Sequence, residues 1–326
     1  DHFHPLDGAK PHPYYDDFSA PCYDGEHQMI LGGSFASAGD MASIWARFHF
    51  RPHFSQHAGF RIARNADGNP APSAKHIQNA SAVTYESHEM LNKYMLMHWG
   101  SDAEIFSHVP VPPSHFANTV HLPKTCAELV IGHSSTFNRV LDLGCAVGRS
   151  SFELARNFTE IVGIDYSHEF IASANALKAH RTLAYERTDT GALSQPLQAM
   201  VDATIDRSRL HFEQGDACVL PLHIKGFDAV LLANVLCRLP DPIACLERMQ
   251  GANALVKPGG VLVMTTPFSW LEQYTPRERW LNGVPAVAEI LTDFELIEQR
   301  ELPFLIREHQ RKFEYIVTLA SIWRRK

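Results

Sequence analysis

The 326-residue sequence lacks several features that would place it in a large class of proteins. No apolar run approaches the roughly 20 residues of a membrane-spanning helix, and the start has no secretory leader pattern. The six cysteines form no CxxC pair, which disfavours a disulfide framework and favours a reducing compartment, with the cytoplasm as default. Lys and Arg number 29 against 36 Asp and Glu, a net charge of −7. This balance disfavours nucleic-acid binding, whose affinity comes mainly from neutralised phosphates.

Composition divides the chain into three parts. Residues 1–64 are rich in His, Phe, Gly and Pro, and their alternating pattern predicts short strands and loops. Residues 65–82 collect turn-forming residues and are predicted to be a linker. Residues 83–326 are long enough for one large domain. Because the sequence does not begin with Met, we expect a fragment, a processed chain or a trimmed chain.

Helical and strand-like segments alternate from about residue 123 onward. Helices are predicted at 123–133, 150–158, 168–180 and 242–256, and strands at 139–143, 160–165, 210–213, 227–233 and 261–266. This α/β alternation predicts an open, mostly parallel sheet covered by helices on both faces. Ligands of such sheets bind beyond the carboxyl ends of the strands.

Four of these predicted strand ends carry residues suited to a nucleoside. The loop 141–149, LDLGCAVGR, has glycines that allow close backbone approach to a ligand. Asp165 follows about 20 residues later, where an acid accepts from ribose hydroxyls; Asp216 is placed for an adenine amine, and Asn234 for the mouth of the site. An NAD dehydrogenase or a phosphate-loop protein is disfavoured, because GxGxxG and GxxxxGK[S/T] are both absent.

The order and spacing of these residues resemble the class I methyltransferases, a Rossmann-like fold with a seven-stranded, mostly parallel sheet. The resemblance implies S-adenosylmethionine as cofactor and S-adenosylhomocysteine as its product. The residues expected to hold the cofactor are Asp142, Gly144, Cys145, Ala146, Gly148, Ser150, Asp165, Tyr166, Ser167, Asp216, Ala217, Cys218 and Asn234.

Longer runs carry a narrower resemblance. They are the stretch from Tyr85 to Gly100, LDLGCAVGRSSFELAR at 141–156, GDAC at 215–218, PFSWLEQYTPRERWL at 267–281 and IREHQRKFEYIVTLASIWRR at 306–325. These runs resemble the C-terminal half of the OvoA family of ovothiol biosynthesis enzymes. Within 1–64, GGSF at 32–35, RFHFR at 47–51 and GFR at 59–61 resemble the tail of a formylglycine-generating-enzyme-like, or sulfatase-modifying, domain.

The narrower resemblance implies a reaction and a partner. The reaction is methylation of an imidazole nitrogen of 5-thiohistidine (4-mercaptohistidine) in ovothiol A biosynthesis, with the choice of ring nitrogen, a general base and the oligomeric state left open. In the whole family enzyme, an upstream iron-dependent 5-histidylcysteine sulfoxide synthase makes the C–S bond. Most of that part is missing here, so this chain is expected to lack iron, and the rest of the synthase is the expected partner, in cis or as a cleaved chain. No nucleic acid and no membrane partner is expected.

The acceptor pocket is expected to come from two aromatic segments, 85–99 and 266–280, together with Asn234 and Arg238 as catalytic residues. The expected substrate-binding residues are Tyr85, Asn92, Tyr94, His98, Phe268, Trp270, Tyr274, Arg279 and Arg307. Plain packing is the alternative for each aromatic residue. Arg238, Arg279 and Arg307 are equal candidates for the substrate carboxylate.

The sequence also contains a possible metal motif, and it leaves alternative functions open. His49, His53 and His57 have the spacing of a helical metal motif, but Pro52 disfavours a helix there, and no metal site is predicted. The alternatives to thiohistidine methylation are methylation of another small molecule and a non-catalytic scaffold that binds S-adenosylmethionine.

Overall fold

The computed structural model describes residues 28–31, 47–50, 85–109, 114–116 and 119–326. The chain divides into two compact units, 1–78 and 79–326. In the first unit, β1 (Gln28–Leu31) and β2 (Arg47–Phe50) pair antiparallel. His49 is therefore in an extended strand. His53 and His57, the predicted linker at 65–82 and most of 1–64 lie outside the described residues.

A seven-stranded sheet organises the second unit. Its strands are β3 (Arg139–Leu143), β4 (Glu160–Asp165), β7 (Leu210–Gln214), β8 (Phe227–Ala233), β9 (Val256–Thr266), β10 (Phe294–His309) and β11 (Lys312–Arg325), and β5 (Thr182–Thr190) and β6 (Leu193–Met200) form a separate hairpin. The order is β10-β11-β9-β8-β3-β4-β7. The five strands from β9 to β7 run parallel, β11 pairs antiparallel with β9, and β10 pairs antiparallel with β11. This is the Rossmann-like class I methyltransferase fold that the sequence predicts.

Helices cover both faces of this sheet. They are α1 (His88–Trp99), α2 (Asp102–Ile105), α3 (Leu122–His133), α4 (Arg149–Leu154), α5 (His168–His180), α6 (Pro242–Glu247) and α7 (Val284–Ile290). Short 3-10 turns lie at Ser114–Phe116, Arg207–Arg209, Leu236–Arg238 and Arg277–Arg279. None of the helices in the described ranges is long and apolar enough to cross a membrane.

The central strands are apolar on both faces, as buried parallel strands require. In β3, Val140 packs into the core beneath α3, α4 and α5, whereas Leu141 and Leu143 pack into a second core beneath α6 and α7. The same alternation continues in β8, where Ala229 and Leu231 face the first core. Each strand therefore contributes to two cores, which holds the strand ends in a rigid frame.

Several boundaries differ from the sequence-based prediction. The helix predicted at 242–256 is wrong beyond Glu247, and β9 begins at Val256, five residues ahead of the predicted start. Gly251, in the left-handed region with φ +78°, lies in the turn between them. The helix predicted at 150–158 ends at Leu154. The β5–β6 hairpin and the hairpin of β10 and β11, with strands of 16 and 14 residues, were not predicted as elements.

A buried carboxylate joins three neighbouring strands at the end opposite the ligand-binding edge. Asp228, at the start of β8, accepts hydrogen bonds from the backbone N–H groups of Asn138 (2.6 Å) and Arg139 (2.9 Å). It also pairs with the ammonium of Lys257 in β9. Asp228 is 3% exposed, so its charge depends on these partners.

We expect Asp228→Ala to lower the free energy of unfolding by roughly 2–4 kcal/mol, because it leaves two backbone N–H groups and one ammonium without their acceptor. Urea denaturation measures the loss. The control is Glu128→Ala, which removes only an exposed i,i+4 pair with Lys124 and is expected to change stability by less than about 0.5 kcal/mol. A loss below about 1 kcal/mol for Asp228→Ala would contradict the role of this carboxylate.

Candidate functional site

A cavity of about 280 Å³ lies at the carboxyl ends of β3, β4 and β8. Open α/β sheets bind ligands at this edge, where the strand order reverses. The loops after the three strands form one side of the cavity. Residues of α1 and of the β10–β11 hairpin form much of the other side.

The loop after β3 approaches the loop after β8 closely. Gly144 has φ +81°, and a Cβ atom at this position would overlap Cγ2 of Val235. The Gly144 N–H donates to the carbonyl of Ile164 in β4 at 2.7 Å. A glycine is therefore required by both backbone conformation and space, and the loop backbone forms part of the cavity wall.

Asp165, the last residue of β4, lies in the wall with its carboxylate held by backbone donors. Oδ2 accepts from the Ala146 N–H at 2.9 Å, and Oδ1 accepts from the Ser167 N–H at 3.0 Å. Burial raises the pKa of this carboxyl to about 6, and the backbone donors oppose the rise. A carboxylate has about four lone-pair positions, so Asp165 keeps acceptor capacity for hydroxyl donors such as those of a ribose.

Asp142 lies outside the wall. It shares a face of β3 with Val140, beneath α4, where it accepts a hydrogen bond of 2.6 Å from the Ser151 hydroxyl. Burial raises its pKa to about 7, and the Ser151 hydrogen bond opposes the rise. Its contact with Ser151 fastens α4 to β3, and the structure gives it no access to a ligand in the cavity.

The structure brings most of the expected cofactor-binding residues together. In the wall are Gly144, Cys145, Ala146, Ser150, Asp165, Tyr166, Asp216, Ala217 and Asn234. Three others support the wall from behind. Gly148 caps α4 beside Phe212, Ser167 caps α5 through the Phe170 N–H, and the Cys218 N–H donates to Asp216 Oδ1 at 2.8 Å.

Three expected substrate-binding residues also reach the cavity. Tyr85, Tyr94 and His98 line it from the segment that begins at residue 85 and continues through α1. The ring of Tyr94 packs on Phe170 at 4.8 Å between centroids. Burial raises the pKa of Tyr85 to about 12 and that of Tyr94 well above its usual value, so both phenols are neutral. The segment therefore gives the cavity an apolar, uncharged wall.

His98 is the residue of α1 that most needs a partner. It is 6% exposed, and its Nδ1 has no hydrogen-bond partner among the described residues. Burial, with a smaller contribution from the nearby Arg149 guanidinium, lowers the pKa of this imidazole to about 3. A neutral, buried imidazole with an unsatisfied nitrogen in a cavity wall can donate to or accept from a ligand.

Asn234 and Arg238 follow β8 and both line the cavity. Arg238 lies over the ring of Tyr274 at 5.3 Å and donates through Nη1 to the carbonyls of Cys237 (2.9 Å) and Ser269 (2.7 Å). No hydrogen bond among the described residues uses its Nε. Of the described wall residues, Arg238 is the single Lys or Arg.

The remaining expected substrate-binding residues lie outside this cavity. Arg307 is buried against Asp189 and the Ile105 carbonyl, each at 2.8 Å, and Arg279 pairs with Asp241 at 3.0 Å. Asn92 accepts from the Glu186 N–H and joins α1 to β5. Among the three candidate arginines, the structure therefore leaves Arg238 as the one beside the cavity.

The aromatic residues of 266–280 mostly pack, in agreement with the alternative interpretation. The Trp270 indole donates to the Leu281 carbonyl at 3.1 Å, and Phe268 packs on the core beneath α6 and α7. Tyr274 is buried behind the wall, at 6.3 Å from Tyr85 between ring centroids. From this segment only Pro267 and Ser269 reach the cavity among the described wall residues.

Four cavity-lining residues of β10 and β11 were not among the predicted site residues. Phe304, Ile306, Glu314 and Ile316 line the cavity from these two strands. The register pairs Phe304 with Ile316 and Ile306 with Glu314, so one face of the hairpin covers the site. In each strand the two residues are two positions apart, a spacing that predicts one shared face of a β-strand and could have identified them.

Comparison with known proteins agrees with this geometry. Residues 120–317, more than half of the chain, match a family described as a methyltransferase domain. The chain belongs to this methyltransferase family. The chain carries an S-adenosylmethionine-dependent methyltransferase domain, and the carboxylates of Asp165 and Asp216 beside the glycine loop are acceptors that suit the hydroxyl and amine donors of this cofactor.

Individual relatives share 26–30% sequence identity with less than half of this chain. A ubiquinone biosynthesis O-methyltransferase of Haemophilus ducreyi is 30% identical over 138 residues, which are 42% of this chain and 48% of that enzyme. An uncharacterized methyltransferase of Schizosaccharomyces pombe is 26% identical over 42% of this chain and 43% of that protein. The chain thus spans about half the length of the curated relatives it matches. A solved methyltransferase of Methanosarcina mazei has 20% identity and a TM-score of 0.41, covering 60% of this chain and 96% of that chain.

We expect Asp165→Ala to weaken binding of S-adenosylhomocysteine by at least about 100-fold, because it removes charge-assisted hydrogen bonds to the ribose hydroxyls. Isothermal titration calorimetry measures the affinity. The matched control is Asp142→Asn, which changes an acid of the same strand-end region that lies outside the wall and is expected to leave affinity within about threefold. Unchanged affinity in Asp165→Ala would mean that the ribose binds elsewhere.

His98 predicts a pH dependence of stability. The imidazole of the unfolded chain takes up a proton below pH ~6.5, whereas the folded imidazole stays neutral to about pH 3. The free energy of unfolding should therefore fall as the pH drops through this window, by up to about 1.4 kcal/mol per pH unit from this residue. His98→Phe is expected to remove that component in urea titrations between pH 4 and 7, roughly the window of the shift.

The exposed His211 gives the matched control. His211→Phe is expected to keep the wild-type dependence on pH. If His98→Phe and His211→Phe follow the same curve, the folded chain protonates His98 and the imidazole is not held neutral.

Proposed function

We propose that this methyltransferase transfers a methyl group to an imidazole nitrogen of 5-thiohistidine, the last step towards ovothiol A. The observation that carries the proposal is where the OvoA-like runs fall. The run from Tyr85 to Gly100 lines the acceptor side of the cavity through Tyr85, Tyr94 and His98. The runs at 267–281 and 306–325 reach the same cavity through Ser269 and Ile306. Sequence that is specific to the family resemblance thus coincides with the surface that selects an acceptor.

The charge in the cavity wall suits a small amino acid. The carboxylate of 5-thiohistidine needs a cation, and Arg238 keeps its Nε–H free after bonding to Cys237 and Ser269 through Nη1. Arg–carboxylate pairs use two N–H groups in parallel, and Nε with Nη2 provides that fork. Nη2 donates one N–H to the Ser269 hydroxyl at 3.4 Å and has a second N–H for this fork.

The chemistry requires little more than orientation. Bound S-adenosylmethionine supplies an already activated methyl group on a sulfonium. An imidazole with its unperturbed pKa of about 6.5 is mostly neutral at pH 7 and is nucleophilic without a base. The neutral phenols of Tyr85 and Tyr94 and the hairpin of β10 and β11 exclude water and restrict the acceptor's orientation.

The expected partner belongs to the same proposal. The rest of a sulfoxide synthase, in cis or as a separate chain, would form the C–S bond of the histidine–cysteine precursor from which 5-thiohistidine is released. The proposal requires no iron in this chain.

The direct test is mass spectrometry of 5-thiohistidine incubated with the protein and methyl-labelled S-adenosylmethionine. We expect a labelled product heavier by one methyl-for-hydrogen exchange, with formation of S-adenosylhomocysteine. Parallel incubations contain histidine and a phenol as an oxygen acceptor, because the matched relatives include O-methyltransferases. Labelling of the phenol without labelling of thiohistidine, or cofactor binding without any transfer, would overturn the proposal and leave the fold unaffected.

Arg238→Met is expected to raise KM for 5-thiohistidine by about 10- to 100-fold, because it removes a charge-assisted pair with the carboxylate. The matched control is Arg279→Met, which removes an arginine that pairs with Asp241 away from the cavity wall. Steady-state kinetics at a fixed, saturating cofactor concentration measures KM for 5-thiohistidine in both variants. Equal effects of both substitutions would remove Arg238 from the acceptor site.

A further inference from the structure

The Asn234 side chain is held in a single orientation by two threonines from other strands. Its Oδ1 accepts from the hydroxyls of Thr265 (3.0 Å) in β9 and Thr318 (2.6 Å) in β11. Both threonines are buried, with 0% exposure, whereas Asn234 itself lies in the cavity wall. The backbone of Asn234 is left-handed, with φ +55°, a conformation that Asn tolerates better than most residues.

The direction of these hydrogen bonds follows from counting donors. The Thr318 hydroxyl donates to Oδ1 at 2.6 Å, and no other hydrogen bond of this hydroxyl occurs among the described residues. The Thr265 hydroxyl donates to Oδ1 at 3.0 Å while its oxygen accepts from the Asn234 N–H at 3.1 Å. A carbonyl oxygen has two lone pairs, and both are used. The Cys126 thiol also hydrogen-bonds with Thr265; burial raises its pKa to about 12, so it stays protonated and adds no charge.

The consequence is a fixed donor at the cavity wall. With Oδ1 saturated behind the wall, the Nδ2 amide group is the polar part of Asn234 available to a ligand. Turning the amide around would place N–H donors against the Thr318 hydroxyl, for whose hydrogen the described residues offer no other hydrogen-bonded acceptor. The cavity therefore presents N–H donors at the end of β8, and an acceptor atom is the complementary group.

Resting on the proposed function, we propose that Asn234 donates to the sulfur of 5-thiohistidine and that Thr265 and Thr318 act as positioning residues for this contact. The assignment follows from the acceptors that the substrate offers. The attacking ring nitrogen directs its lone pair to the methyl group, and the other ring nitrogen carries a hydrogen. The carboxylate is assigned to Arg238. The sulfur, as thiol or thiolate, is the acceptor that remains. Asn234 then selects thiohistidine over histidine.

The test measures the dissociation constants of 5-thiohistidine and histidine on the protein saturated with S-adenosylhomocysteine, by calorimetry. The selectivity is the ratio of the two constants. We expect Asn234→Asp, which keeps the acceptor oxygen but replaces the donor by an anion, to reduce the selectivity by about 100-fold. We expect Thr318→Val, which frees one lone pair of Oδ1, to reduce it by about 10-fold.

Two further variants separate positioning from general structure. Thr318→Ser restores the hydroxyl and is expected to return the selectivity to within about threefold of wild type. Ser321→Ala removes another buried hydroxyl of β11, one that accepts from the Trp323 indole and makes no contact with Asn234. It is expected to lower the melting temperature without changing the selectivity. Affinity for S-adenosylhomocysteine should stay constant in Thr318→Val and in Ser321→Ala.

Each remaining outcome counts against the proposal. An equal loss for both ligands would mean that Asn234 meets the carboxylate, and a loss of cofactor affinity in Thr318→Val would mean that it meets the cofactor. Unchanged selectivity in Asn234→Asp would remove it from sulfur recognition. These results overturn the sulfur contact while wild-type methylation of thiohistidine stands. Failure of the wild type to bind thiohistidine overturns the contact and the proposed function together.

Discussion

The contact between Gly144 and Val235 is the constraint on which the site depends. These residues follow β3 and β8, two neighbouring strands whose ends would separate if residue 144 carried a side chain. Because the loops meet here, the glycine-loop backbone in the cavity wall lies directly against the residues that follow β8. Asn234 precedes Val235 and Arg238 follows it by three residues, so one close approach positions both polar side chains in the cavity wall.

The cavity that results keeps most of its ionisable groups uncharged. Burial lowers the pKa of His98 to about 3 and raises that of Tyr85 to about 12. Desolvation penalises every charge that lacks a partner, so the charges that persist must be paired. Arg238 packs over the Tyr274 ring and donates to backbone carbonyls, and Asp165 accepts from backbone N–H groups. A charged substrate gains from binding only where its charges meet these groups, and discrimination follows from their positions.

The sequence was sufficient for the five parallel strands of the sheet, because parallel strands must be apolar on both faces and must end in residues that a ligand can use. The loop at 141–149 and Asp165 were predicted correctly as parts of one strand-end edge. Asp142 shows the limit: it lies one position from Leu143, but alternation turns it beneath α4. Arg307 shows another, since its partner Asp189 belongs to a hairpin 118 residues away in the chain, and no local pattern reports such a distant contact.

Donor and acceptor recognition are built from different parts of the chain, and this separation explains why family membership leaves the acceptor open. The family match begins at residue 120, whereas α1, with His98, precedes it. The β10–β11 hairpin lies at the far edge of the sheet from the cofactor loop, yet it supplies Thr318 to the amide of Asn234. If Asn234 contacts the acceptor as proposed, a change at Thr318 alters which acceptor the cavity binds without altering the glycine loop. Recognition of the acceptor then depends on contacts between distant strands, which the glycine loop does not include.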